Sequence, residues 1–226
     1  AGEKAGIIVP GVPVIYDGND KDAAEVIAAK AKELGSPAYK VIQAGAKVLG
    51  NNKDGIDFSL EDDYYGDTRF HIPFIAWYQV MNASLALTTM EVLKDRIPVT
   101  MEQLQAGIAN TRWQGRMETI LPGVIVDGAH NEDGVRRFVE TAERFQKEYP
   151  LTLLFSAVND KDYQDMIHTI CSRIKFRKVV TTEVGGYREV PSAELAEIFC
   201  KEGCKDVGNS DNIEEAFHMA HEAKGE

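Results

Sequence analysis

Residues 150–182 read PLTLLFSAVNDKDYQDMIHTICSRIKFRKVVTT, and their pattern is that of a strand, a helix and a second strand. The apolar run Leu151–Val158 is typical of a fully buried strand. Helical spacing separates the apolar residues that follow, which are Met166, Ile167, Ile170 and Ile174. Val179–Thr182 then reads as the second strand. A helix between two buried strands predicts that the strands are parallel and that the fold is α/β.

The same alternation continues on both sides of this unit. Upstream, Val124–Val126 reads as a short buried strand, and an amphipathic helix through Val135 and Phe145 follows it. Downstream, Pro191 opens a helix, Val207 lies in a weak strand, and 213–223 reads as a last helix. We therefore expect a Rossmann-like, mostly parallel sheet with both faces covered by helices.

Ligands of such sheets bind beyond the carboxyl ends of the strands. Three segments hold those positions here: Asp127–Asn131, Ser156–Lys161 and Thr182–Gly186. The sequence therefore places its candidate chemistry in these turns.

The first hundred residues are less regular. Val12–Tyr16 reads as a strand and 20–34 as a helix, and longer helices are expected over 77–93 and 101–109. Short strand-like pieces lie between them, near 39–42, 47–49, 56–60 and 68–72. The polar stretch Asn110–Gly115 separates this part from the regular one, so we predict two domains, 1–111 and 112–226.

Composition excludes some classes of function. Of 226 residues, 25 are basic and 36 acidic, a net charge of −11 without the basic stripe of a nucleic-acid reader. No apolar run approaches the roughly 20 residues that span a bilayer. The three cysteines, Cys171, Cys200 and Cys204, are too few for a disulfide scaffold and indicate a reducing compartment. Cys200 and Cys204 lie four apart, as if facing one another on a helix, and we interpret them as buried thiols, not zinc ligands.

Four short motifs occur in order along the chain. They are EKAGI at 3–7, QVMNASLAL at 79–87, GRME at 115–118 and DGAHN at 127–131. Together they resemble the signatures of the folylpolyglutamate synthase branch of the Mur ligase family. The resemblance covers nearly the whole chain, from the end of the central ATPase domain into the carboxy-terminal domain.

The resemblance implies a reaction. Members of that family use ATP and Mg²⁺ to phosphorylate a folate carboxylate, and the amino group of L-glutamate then attacks the acyl phosphate and expels phosphate. We also expect a cytoplasmic monomer that, from its charge and hydropathy, binds neither nucleic acid nor membrane.

Site residues follow from the same motifs. Lys4 matches the family lysine that becomes a carbamate and helps to hold magnesium, although by itself it would be read as a surface lysine in an ion pair. Arg116 and Asp127 match the residues that contact ATP, and Asp127 is also a candidate cap for the following helix. His130 is expected to bind phosphate or the incoming glutamate, or only to orient Asp127.

Two further polar residues belong to this set. Asn82 matches an asparagine that contacts the nucleotide base, although Tyr78 replaces the histidine that many relatives have before the glutamine. Lys161 matches a lysine that binds the carboxylate of the incoming amino acid. It lies in the string Asn-Asp-Lys-Asp, which occurs at 19–22 and again at 159–162, and helix capping explains both copies without a ligand.

No glycine-rich loop of the form G-x-x-x-x-G-K-[ST] is present in the sequence. Since that loop cradles phosphate in the family, we expect a piece of a longer enzyme, cut also at its end, that is inactive by itself. Two alternatives are another Mur-type amino-acid ligase and a stand-alone, non-catalytic binding module.

Overall fold

A computed structural model describes residues 2–52 and 54–224. The chain forms two compact units, Ala1–Trp113 and Gln114–Glu226. Among the described residues, no helix is long and apolar enough to cross a membrane. The last two residues, Gly225 and Glu226, at which the sequence is expected to stop short of a closing strand, lie outside the described residues.

Eight α-helices are found in the described ranges. They are α1 Gly2–Ala5, α2 Lys21–Glu33, α3 Tyr78–Val92, α4 Met101–Ala109, α5 Glu132–Gln146, α6 Tyr163–Arg173, α7 Ser192–Lys201 and α8 Ile213–Ala223.

Ten strands accompany them in the same ranges. They are β1 Val14–Asp17, β2 Ala38–Val41, β3 Ala46–Asn52, β4 Gly55–Leu60, β5 Phe70–Ile72, β6 Glu118–Leu121, β7 Val124–Val126, β8 Leu151–Phe155, β9 Phe176–Thr181 and β10 Val207–Asn209.

The second unit is built on a three-stranded parallel sheet in the order β10-β9-β8. Alternate residues of β9 face opposite sides, as the two-residue period of a strand requires. Val179 packs into a cluster with residues of α5, α6 and α7, whereas Val180 packs against Ala216 and Ala220 of α8. The predicted parallel sheet with helices on both faces is confirmed.

One predicted strand of this sheet was placed wrongly. β7, Val124–Val126, does not join the parallel sheet but forms an antiparallel hairpin with β6, a strand that the sequence analysis missed. Gly123 makes the turn at φ +70, a conformation that glycine adopts without strain. Ile125 and Val126 are 37% and 39% exposed, so the strand is not buried.

The first unit has a mixed architecture. β1 and β2 are parallel, and β3, β4 and β5 form an antiparallel sheet in that order. Its core lies between this sheet and α3, with Phe58, Phe70 and Leu87 almost fully buried. The expected short strands of this region are therefore present, with bounds shifted by a few residues.

The repeated Asn-Asp-Lys-Asp string caps two helices in different registers. In the first copy Asp20 is the N-cap of α2, and its carboxylate accepts from Ala23 N at 3.0 Å. In the second copy the fourth residue, Asp162, caps α6 and accepts from Asp165 N at 3.1 Å. The shift places Lys21 inside a helix but leaves Lys161 in the turn before one.

Candidate active site

The motifs at 115–118 and 127–131 are held together by the carboxylate of Asp127. Its Oδ2 accepts from Met117 N at 2.9 Å, and its Oδ1 accepts from Ala129 N at 2.8 Å. Gly128 N donates to Gly115 O at 2.7 Å. The two turns flank the β6–β7 hairpin, so hairpin closure brings them together although eight residues, 119–126, lie between them along the chain.

Burial and hydrogen bonding act on Asp127 in opposite directions. Burial raises the pKa of its carboxyl group above the ordinary value, while the two backbone N–H donors and the charge of Arg116 oppose that rise. Arg116 therefore lies within electrostatic reach of Asp127. The structure brings these two predicted residues into one cluster.

Arg116 is positioned by an unusual backbone turn. Gly115 has φ +67 and Met117 has φ +48, which is the single left-handed non-glycine residue among those described. The Met117 side chain is 3% exposed, so burial of this side chain offsets the backbone strain. Glu118 closes the turn by accepting from Gly115 N at 2.8 Å.

The other residues of the second turn have separate roles. Asn131, not Asp127, is the N-cap of α5, and its Oδ1 accepts from Gly134 N at 2.8 Å. The prediction that Asp127 caps this helix was therefore wrong. His130 is exposed, and its Nδ1 lies 2.9 Å from Gly128 O, so the ring is fixed by the backbone and not by Asp127.

Lys161 lies elsewhere in the second unit, after β8, on a turn at the carboxyl edge of the sheet. It is exposed, and its N donates to Val158 O at 3.2 Å. The segment that follows β9 supports this turn, because Arg188 NH1 is 3.0 Å from Asp160 Oδ2 and Arg188 O accepts from Asn159 N at 2.7 Å. Lys161 is thus placed at the predicted edge.

Sequence reasoning missed two hydroxyl groups at this edge. Ser156 and Thr182 follow β8 and β9 directly, and Thr182 N donates to Phe155 O at 3.0 Å, which continues the strand pairing. The Oγ of Ser156 and the Oγ1 of Thr182 are shielded from solvent and have no hydrogen-bond partner among the described residues. Their position immediately after two buried parallel strands is the signal that could have identified them.

Asn82 lies in the first unit, on the exposed side of α3. Its neighbours Met81 and Ala83 are buried, whereas Asn82 itself is exposed. Its Nδ2 donates to Gln79 Oε1 at 2.8 Å. Gln79 is 4% exposed, so this buried amide fixes the orientation of an exposed one.

Lys4 lies in the single-turn helix α1 and is exposed. Within 2–52 and 54–224, no group of three or more His, Cys, Asp or Glu residues is arranged to hold a metal ion. The predicted residues thus fall into three places, with Arg116, Asp127 and His130 together, Lys161 at the sheet edge, and Lys4 and Asn82 in the first unit.

Comparison with known proteins is consistent with this arrangement. The family model of the Mur ligase glutamate ligase domain matches residues 115–226, which is the second unit almost from its start. Residues 115–226 therefore form a domain of the Mur ligase family.

The relatives indicate one branch of that family. The dihydrofolate synthase/folylpolyglutamate synthase of Bacillus subtilis is 34% identical over 188 residues, which are 78% of this chain and 43% of that protein. The folylpolyglutamate synthase of Thermotoga maritima superposes with a TM-score of 0.76 at 25% identity, over 96% of this chain and 51% of that one. A structure determined as an FPGS–AMPPCP–folate complex superposes with a TM-score of 0.70 at 27% identity, over 92% of this chain and 52% of that one. The chain thus spans about half the length of the relatives it matches.

Proposed function

We propose that this chain is part of a folylpolyglutamate synthase-type ligase that joins L-glutamate to folate at the expense of ATP. The observation that carries the proposal is the Asp127-centred pair of turns, which combines two family motifs in one hydrogen-bonded cluster beside Arg116. In the proposed reaction the folate carboxylate attacks the γ-phosphate and releases ADP. The glutamate amino group then attacks the acyl phosphate and expels phosphate.

Arg116 serves the phosphate side of this reaction. Its guanidinium is a planar donor suited to phosphate oxygens, and Asp127 holds the turn that carries it. Asp127 therefore acts mainly as a positioning residue, because both of its oxygens already accept backbone N–H groups. His130 is exposed beside the same turn and is proposed to contact phosphate or the incoming glutamate.

Lys161 serves the amino-acid side. Its ammonium group is proposed to pair with a carboxylate of glutamate at the carboxyl edge of the sheet. Ser156 and Thr182 lie at the same edge with unsatisfied hydroxyl groups, which cost about 1–3 kcal/mol each when left unpaired. Both oxygens are shielded from solvent, so we propose that the edge opens as the amino acid binds and that polar groups of the amino acid then supply the missing partners.

Asn82 is proposed to contact the nucleotide base. Because Gln79 accepts one N–H of the Asn82 amide, the amide oxygen is turned to the other side of the group. An oxygen in that place would accept from the 6-amino group of adenine, whereas guanine carries a carbonyl oxygen at that ring position. The arrangement therefore favours ATP over GTP.

Lys4 is proposed to take part in magnesium binding. Lys4, as a carbamate, would offer two hard oxygen ligands of the kind that the ion prefers. The described residues supply no group of three or more His, Cys, Asp or Glu ligands, and we propose that the remaining ligands and the phosphate-binding loop belong to another part of a longer ligase. We therefore propose that the 226-residue chain does not catalyse by itself.

The experiment is an ADP-release assay on this chain alone and on the complete ligase that contains it. We expect release only from the complete protein and only when ATP, a folate and L-glutamate are all present. ATP use with a different acceptor would move the assignment to another Mur-type ligase. Turnover by the chain alone, or none by the complete protein with any acceptor, would refute the proposal, the latter in favour of a binding module.

A further inference from the structure

Cys171 and Cys204 form a close thiol pair in the second unit, away from the residues assigned above. Their Sγ atoms are 3.6 Å apart, although 33 residues separate them along the chain. The sequence suggested a different pair, Cys200 with Cys204, on one helix. That expectation was wrong because α7 ends at Lys201, and Cys200 is exposed and not buried.

The backbone fixes both members of the pair. Cys171 lies in the last turn of α6, between the buried residues Ile170 and Ile174. Cys204 follows α7 after Gly203, which has φ +93, and its N donates to Phe199 O at 3.1 Å in a helix-ending turn. Both side chains pack against the same core cluster, so the sulfurs meet through two ordered elements and not through a loop.

The two sulfur atoms differ in electronic character. Burial raises the pKa of both thiols, and nearby Glu202 adds to the rise. The contact between the two sulfurs, in which either thiol can donate, raises the pKa of Cys171 further and opposes the rise of the pKa of Cys204. Because only the rise at Cys204 is opposed by this contact, we assign the first oxidation step to Cys204.

We propose that Cys171 and Cys204 are a peroxide-sensitive modification site, in which Cys204 is oxidised first and Cys171 closes a disulfide. In the first step the Cys204 sulfur attacks hydrogen peroxide, the O–O bond breaks, and a sulfenic acid and one water form. In the second step the Cys171 sulfur attacks the Cys204 sulfur. The S–O bond breaks, the departing hydroxide takes the Cys171 proton, and a second water is released.

The geometry permits this closure with a small movement. A disulfide requires its sulfurs at about 2.05 Å, so the pair must approach by roughly 1.5 Å. Peroxide is small enough to reach two half-buried sulfur atoms. The charged and titratable groups that face the pair are Glu202, which is hydrogen-bonded to His168 at 2.9 Å, and the exposed thiol of Cys200. Because both thiols are mostly protonated at neutral pH, we expect the oxidation rate to rise with pH.

The test is peroxide treatment of the 226-residue chain, alkylation of remaining thiols, intact mass measurement and peptide mapping. We expect a loss of two hydrogens, one cross-link between Cys171 and Cys204, and one alkylated thiol at Cys200. A dominant disulfide that contains Cys200, or Cys171 and Cys204 both still reduced after Cys200 is oxidised, overturns the proposal. This map uses the unmodified protein, so no folding defect can obscure it.

Variants then test the order of the steps. Cys200→Ser is the matched control and should leave the cross-link unchanged, whereas Cys204→Ser should abolish it. Cys171→Ser should accumulate a sulfenic acid at Cys204, which dimedone traps. Trapping at Cys171 in Cys204→Ser, with none at Cys204 in Cys171→Ser, would contradict the assigned order.

Discussion

At the scale of single residues, the polar groups of the candidate site differ in their hydrogen-bond partners. Asp127, Asn131 and Thr182 all lie in polar turns that the sequence marks as candidate sites. In the structure they do three different things: Asp127 fixes two turns, Asn131 caps a helix, and Thr182 lacks a partner among the described residues.

Replacing Thr182 with valine should separate stability from function. Since its buried hydroxyl is unsatisfied, Thr182→Val should raise the free energy of unfolding by about 1–3 kcal/mol in urea denaturation of the chain. In the complete ligase the same change should raise the KM for glutamate while kcat changes less.

Ser156→Ala tests the second hydroxyl in the same way, and we expect its free energy of unfolding and its KM for glutamate to change in the same direction. A loss of stability in Thr182→Val would mean that the hydroxyl has a partner in solution. An unchanged KM for glutamate in both variants would remove these residues from the proposed amino-acid site.

Asp127→Ala should destabilise the second unit. The change leaves two backbone N–H groups without their acceptor, and we expect a loss of about 1–3 kcal/mol in the free energy of unfolding. Asp127→Asn retains one acceptor oxygen and should lose less. Equal stability of Asp127→Ala and wild type would contradict the positioning role.

At the scale of helices and strands, helix capping explains Asn131, a residue that its motif alone would assign to catalysis or binding. Asn131→Ala should lower the free energy of unfolding by about 1 kcal/mol because the Gly134 N–H loses its acceptor, whereas Asn131→Asp should leave the free energy of unfolding nearly unchanged. Chemical denaturation of the three proteins measures this. If Asn131→Asp were as unstable as Asn131→Ala, capping would not explain the asparagine.

The antiparallel sheet of the first unit carries a pH-dependent pair that the sequence analysis did not find. Asp57 and His71 are direct partners in the β4–β5 register, and Arg69 also bonds to Asp57, at 2.6 Å. The hydrogen bonds from Arg69 and His71 hold the pKa of Asp57 below its ordinary value. This stabilisation is present above the ordinary carboxyl pKa and is lost as pH falls through the lowered one.

Asp57→Asn should therefore flatten the acid side of the stability profile of the first unit. The magnitude is at most about 1 kcal/mol because Arg69 is largely exposed and the pair is screened. Urea unfolding at several acidic pH values measures it, with Lys30→Ala, at another exposed ion pair, as the control. An unchanged acid limb in Asp57→Asn would contradict the assignment.

The elements also show what the sequence could and could not predict. The β8–α6–β9 unit was predictable because its strands are continuous apolar runs, its helix has apolar residues at helical spacing, and both faces of the sheet are buried. The placement of β7 could not be predicted, because a run of three apolar residues fits a strand of the parallel sheet and a hairpin strand equally well. The turn at Gly123 pairs β7 with β6 and so makes it a hairpin strand. The Cys171–Cys204 and Asp57–His71 contacts join distant segments, so local patterns do not reveal them.

At the scale of the whole molecule, each unit has its own hydrophobic core. We expect the segment 114–226 to fold by itself, since its sheet and the helices on both faces come from that segment. Far-UV circular dichroism and cooperative urea unfolding of the isolated segment test this. A non-cooperative transition would show that the second unit needs residues of the first.

We propose that glutamate is joined to folate through an acyl phosphate. The most direct measurement follows oxygen transfer in the complete ligase that contains this chain, with ¹⁸O in the reacting folate carboxylate and mass analysis of the released phosphate. We expect one ¹⁸O atom in each phosphate released, and release only when L-glutamate and folate are both present. Phosphate without label, formed while glutamylated folate accumulates, would contradict the account.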